Sequence, residues 1–179
     1  VIHELTHNKF YAKGQAVFNE SFASFVGARG AQEFFTARGD SASARRVVER
    51  WGDDLLLGAV WERTFRALDS AYAAHASDSA RAERLAARDT IYARAHRLLV
   101  DSVASQLKSI DPRYAERVRL DNAALLARRI YSTGLDGFEK VWTREDRSVR
   151  KALERIIALA KANPRAPGAA VDKWLGAAP

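Results

Sequence analysis

Apolar residues along this chain recur at spacings of three and four, and the strict alternation of a half-buried strand is hard to find. The pattern predicts a mainly α protein. A first helix is already under way at Val1 and stops near Asn8, because Lys9 to Gly14 carries turn residues around Phe10 and Tyr11. A second helix carries Val17, Phe18, Phe22 and Phe25, whose steps of four and three mark a core face. A third runs through Phe34 and Phe35 to Gly39, a residue suited to a left-handed helix end.

Beyond Asp40 and Ser41, either able to cap a helix, Trp61, Phe65, Leu68, Tyr72 and His75 follow at alternating steps of four and three. That is a seam for a partner helix. The break at Ser77, Asp78 and Ser79 starts a return helix with Leu85, Tyr92 and Leu99 seven apart, so the two form an antiparallel helical hairpin. After the Asp111–Pro112 turn come a helix from about Asp121 to Thr133 closed by Gly134, a short one around Phe138 to Trp142, and another from Arg147 to Ala160. The expected organisation is one helical domain over residues 1–165, made of site helices (1–39), a long hairpin (40–109) and C-terminal helices (110–165). The last stretch, rich in Pro, Gly and Ala, reads as a loosely ordered tail over 166–179.

Composition narrows the chemistry. The 179 residues contain no Cys, which removes disulfide scaffolds, thiol nucleophiles and thiolate metal sites. Any metal must be held by His and carboxylate. The formal charge is +7, but 29 Lys and Arg are interleaved with 22 Asp and Glu rather than gathered into a tract, so no nucleic-acid partner is expected. No apolar run is long enough to span a bilayer. Met is absent and the first residue is Val, so the chain reads as a piece of a longer protein, and its oligomeric state is not legible.

Residues 3 to 7 read His, Glu, Leu, Thr, His. On a helix, positions i and i+4 share a face, so His3 and His7 can aim ring nitrogens at one tetrahedral ion while Glu4 flanks it. From there the Glu4 carboxylate can take a proton from water, the general-base role of this motif in metallopeptidases. Such a zinc site needs a third protein ligand. The position six after His7, where one class places a third His, is Lys13, and with no Met there is no Met-turn. A carboxylate remains. Asn19, Glu20, Ser21, Phe22, Ala23 supplies it as Glu20, at the start of an aromatic-rich helix where a lone buried carboxylate is costly unless a cation answers it. An acid favoured by the helix dipole is the plainer reading of Glu20. The order His3, Glu4, His7, Glu20 favours the ligand.

The run HELTHNKFYAKGQAVFNESFASFVGARGAQEFF resembles the active-site segment of a bacterial family of predicted aminopeptidases that are glutamate-zincins. The segments FRALDSAYAAHASDSARAERLAARDTIY and DNAALLARRIYSTGLDGFEKV are similar to that family's downstream blocks, so the resemblance covers residues 1 to about 160. It implies the C-terminal helical half of a zincin-like metallopeptidase, with Zn2+ held by His3, His7 and Glu20, Glu4 as general base, and a peptide or protein as substrate. A bacterial cell-envelope location is also implied. Two departures stand out. The spacer between His7 and Glu20 is shorter than in the well-known glutamate-zincin aminopeptidases, and Asp121–Asn122 stands where the family tends to show paired Asn. The family's upstream lobe, with its substrate-edge strand, is not in this sequence.

Hydrolysis through a tetrahedral intermediate also needs a donor for the oxyanion. Tyr131, Tyr11, His75 and His96 are candidates, and Tyr131 is chosen because it lies in a block shared with the family. The expected function is zinc-dependent peptide-bond hydrolysis of aminopeptidase type. The alternative is a non-catalytic helical interaction module with a vestigial or truncated zinc site.

Overall fold

The computed structural model describes residues 1–177, and among them there are helices and turns but no strand. The helices are α1 (Ile2–Lys9), α2 (Ala16–Ala37), α3 (Ser41–Ala74), α4 (Arg81–Leu98), α5 (Tyr114–Arg117), α6 (Asn122–Ser132), α7 (Leu135–Arg144), α8 (Val149–Ala162) and α9 (Pro167–Gly176). The mainly α class read from the spacing is the observed one. Where that reading drew one domain, the contacts gather into two compact units: Val1–Trp51 with the chain from Thr133 onward, and Gly52–Ser132.

The first unit is built on α2. Phe18, Phe22 and Phe25 are buried on one face, and all three rings surround Phe138 of α7 at centroid distances of 5.7, 5.8 and 5.8 Å. Val149, Ala152, Ile156 and Ala160 of α8 bury at helical spacing beside them. Glu33 of α2 fixes the start of α8 by accepting the Val149 N–H at 3.0 Å. A charged node lies within the apolar packing. Arg29, mostly buried, donates Nε to Glu139 at 3.0 Å, pairs with the same carboxylate through Nη2, and lies 4.0 Å over the Trp142 ring. Trp51 Nε1 donates to that carboxylate too, at 3.0 Å.

Three sequence expectations are corrected here. The second and third helices are one, α2, because Gly27 and Gly30 do not break it but let α1 lie close on its side. Arg147 does not start α8. It and Asp146 hold left-handed φ of 57° and 56° in the turn before Val149. The supposed loose tail is a helix over Pro167–Gly176, with Pro at the helix start, where its missing N–H costs nothing, and with Pro167 and Val171 buried. Ala178 and Pro179 lie outside the described residues. Gly39 does end its helix with φ at 74°, as its position suggests.

The second unit contains the hairpin. Leu57, Val60, Trp61 and Leu68 of α3 share a core with Tyr92 of α4 and with Leu99, Val103 and Leu107 beyond it. Antiparallel pairing is visible at both ends. Near the turn, Arg84 donates to the carbonyls of His75 and Ser77, and at the open end Asp53 accepts the N–H groups of Lys108, Ser109 and Ile110 at 2.8–2.9 Å. Leu85, expected on the seam, is exposed. The return arm passes into a π-helical turn at Leu99–Val103, which keeps Leu99 and Val103 both buried. Leu125 of α6 closes the core, and Arg129 lies 3.9 Å over Phe65.

Candidate metal centre

α1 has eight residues, too short to be stable alone, so its position is set by what it rests on. It runs antiparallel to α2. Ile2 faces Gly30, and His3 faces Gly27, where an added Cβ would lie 3.6 Å from the His3 Cβ. Buried Ala23 continues the same stripe towards Glu20, at steps of three and four. Glycine and alanine therefore let the two helices approach closely at the level of His3 and Glu20.

On this approach three side chains converge. His3 Nε2 lies 3.1 Å from Glu20 Oε2, His7 Nε2 lies 3.2 Å from His3 Nε2, and His7 Nε2 lies 3.5 Å from Glu20 Oε1. These residues are a group that could hold a metal ion. Four ligands at zinc–nitrogen and zinc–oxygen lengths make a tetrahedron with edges of about 3.3–3.4 Å, which is the spacing found here. Two imidazole nitrogens and a carboxylate turned towards one another suit a shared cation. The donor set fits zinc. The side chains keep 28% (His3), 19% (His7) and 25% (Glu20) of their exposure, so one side of the cluster stays open for a fourth ligand.

Glu4 lies on α1 between the two His, exposed and outside the three-residue cluster. Its carboxylate makes no hydrogen bond or ion pair among the described residues. Of the four candidate oxyanion donors, Tyr11 stands beside the cluster, its ring centroid 6.1 Å from that of His7 at an interplanar angle of 64°. Tyr131, His75 and His96 belong to the second unit. Tyr131 is half-exposed on α6 and lines a groove with Ala124, Ala127 and Arg128.

One buried polar residue of this region was not assigned a role from sequence. Asn19, 1% exposed, accepts the Ala12 N–H at 2.9 Å and donates to the Ala12 carbonyl at 2.8 Å, tying the α1–α2 loop to the first turn of α2. An Asn immediately before Glu20 was the available signal. The loop it closes cannot be read from the motif.

The unit lays the helix that carries His3 and His7 against the helix that carries Glu20. The chain belongs to the family described as Putative aminopeptidase, which matches residues 1–170. No curated protein and no solved structure matches it.

Proposed function

We propose that this chain carries the catalytic helices of a zinc-dependent peptidase of aminopeptidase type, the helical half of a zincin-like enzyme. The observation that carries the reading is the convergence of His3, His7 and Glu20 at tetrahedral spacing, with Glu4 unengaged between the two His. Family membership supports a peptide as substrate. Bound zinc would supply Lewis acidity and bring the pKa of water to about 7.

The protein's own groups then divide the work. His3, His7 and Glu20 hold the ion, and the pairing of Glu20 with both imidazoles keeps its carboxylate turned inward. Glu4 accepts the proton of the attacking water and returns it to the departing amine. Tyr131 is the oxyanion donor that the family resemblance favours. Tyr11 is a second reading, favoured by its ring lying against His7. Tyr131→Phe and Tyr11→Phe separate the two, since only the true donor should lower kcat with little change in KM.

The test is zinc content after dialysis, together with hydrolysis of peptides with free and with blocked amino termini. The parent should retain one zinc per chain and cleave only the free peptides. Glu4→Gln should keep the zinc and lose at least about a hundredfold in turnover, the low end for a general base. A chain that retains no zinc would reduce this segment to a helical interaction module. Full turnover in Glu4→Gln would remove the general-base role.

A further inference from the structure

The ligand cluster is pinned at two points, and one of them is a single side chain. At the N-terminal end of α1, Ile2 and His3 rest on Gly30 and Gly27. At the other end the chain leaves α1 through Phe10, whose backbone is extended, and returns to α2 through Gly14, whose φ is 78°. A connection of this kind has no ladder of its own to fix its length. Its fixed point is Ala12, buried, whose N–H and C=O are both taken by the Asn19 amide, while the same carbonyl also accepts the Gln15 N–H at 3.1 Å.

We propose that Asn19 is a positioning residue for the metal cluster: by holding both backbone groups of Ala12 it sets how far the His7 end of α1 stands from Glu20. The inference rests on the metal reading above. Asn19 is the residue before Glu20 and sits in the same helical turn, so the clamp joins the loop that follows His7 to the backbone that carries the third ligand. Two buried amide–backbone bonds, both near ideal length, leave little freedom for that loop to slide. Without them, α1 would keep its contact at Gly27 and Gly30 but could swing about it, and His7, at the far end of the lever, would move most. His7 already makes the longest contact of the cluster with Glu20, at 3.5 Å. A small displacement there would leave the ion with two good ligands rather than three.

The experiment is a competition titration of the 179-residue chain with Zn2+, and with Co2+ as spectroscopic probe, for the parent, Asn19→Ala, His3→Ala and Val26→Ala. Val26 is buried on the same helix and is not part of the cluster, so Val26→Ala lowers stability without touching the clamp. At a temperature well below every unfolding midpoint, Asn19→Ala should lose roughly 10–100-fold in Zn2+ affinity, the usual effect of removing a group that orients a ligand. Val26→Ala should stay within about twofold of the parent, because its loss is spread over the fold. If Asn19→Ala does not fold, Asn19→Asp, which is of equal size and keeps the bond from the Ala12 N–H, should show a smaller loss in the same direction. Parent-like affinity in the folded Asn19 variant overturns the inference, as does a loss in Val26→Ala that matches its loss of stability. Binding that is absent in the parent, or unchanged in His3→Ala, overturns the metal reading itself.

Discussion

Ile2 of α1 rests directly on the backbone of Gly30 in α2: a Cβ at position 30 would stand 3.2 Å from Ile2 Cγ2 and 3.3 Å from its Cδ1. Gly30→Ala therefore sets two effects against each other, a gain of up to ~1 kcal/mol in helix propensity and a shift of Ile2 by a few tenths of an ångström. Gly30→Leu has no such compensation. It should destabilise the first unit by about 1–3 kcal/mol through overpacking and should lower hydrogen-exchange protection of the α1 amides first. Gly52 sits in α3 with open space around its Cα, so Gly52→Ala, measured in the same urea series, should stabilise by roughly 0.5–1 kcal/mol. A stabilising Gly30→Leu would show that α1 does not depend on this approach.

Glu139 is shared by Arg29 and by Trp51, so Glu139→Ala leaves a mostly buried guanidinium without its counter-charge, though still bonded to Gln32 at 2.6 Å, and an indole N–H without its acceptor. The expected cost is about 3–5 kcal/mol, the range for breaking a buried pair from one side. The double variant Arg29→Met with Glu139→Leu should recover most of that loss, since it removes the charges together. Equal destabilisation of the single and double variants in a double-mutant cycle would contradict this.

Asp53, 1% exposed, accepts three successive backbone N–H groups where the chain turns after the hairpin. Asp53→Asn can offer only one oxygen and would bring an NH2 group towards donors. The loss should be about 2–3 kcal/mol, read as a lower urea midpoint with unchanged slope, and local exchange at Lys108, Ser109 and Ile110 should rise.

Burial, reinforced by Tyr72 and Asp121 nearby, pushes the Tyr92 phenol up to about 12 from 10.0. Its hydroxyl donates to Asn122 Oδ1 at 2.7 Å, a bond that exists only in the neutral form. The folded chain therefore holds this proton more tightly than the unfolded one. The contribution is full below pH 10 and is lost as the pH rises towards about 12. Urea midpoints measured between pH 9 and 12 should fall more steeply for the parent than for Tyr92→Phe, which has no proton to lose. Parallel falls would exclude Tyr92 as the source.

The convergence of His3, His7 and Glu20 was legible because His3 and His7 share a helical face by covalent geometry, and Glu20 lies near the start of a helix whose Phe18, Phe22 and Phe25 spacing fixes which side is core. The hairpin was legible for the same reason, through Trp61, Leu68, Tyr92 and Leu99. One helix, α2, was read as two, with Gly27 and Gly30 lying between the two stretches, and glycine carries two meanings that differ only by what lies opposite. In α2 it is a docking surface; at Gly39, with φ at 74°, it is an end. The α9 segment was misread because Pro167 at a first helical turn and Pro in a loose tail have the same composition.

What the sequence by itself determined is therefore local and periodic: helical class, the faces that bury, the placing of His3, Glu4 and His7 along one helix, and the order that makes Glu20 their partner. Only the tertiary structure decided how close α1 comes to α2, that Asn19 holds Ala12, that Arg29 and Trp51 share Glu139, and that Tyr11 stands beside His7. Those contacts join residues that no periodicity links. They depend on where a two-turn helix settles on its neighbour, a balance of packing and buried hydrogen bonds that exists only once both surfaces are formed.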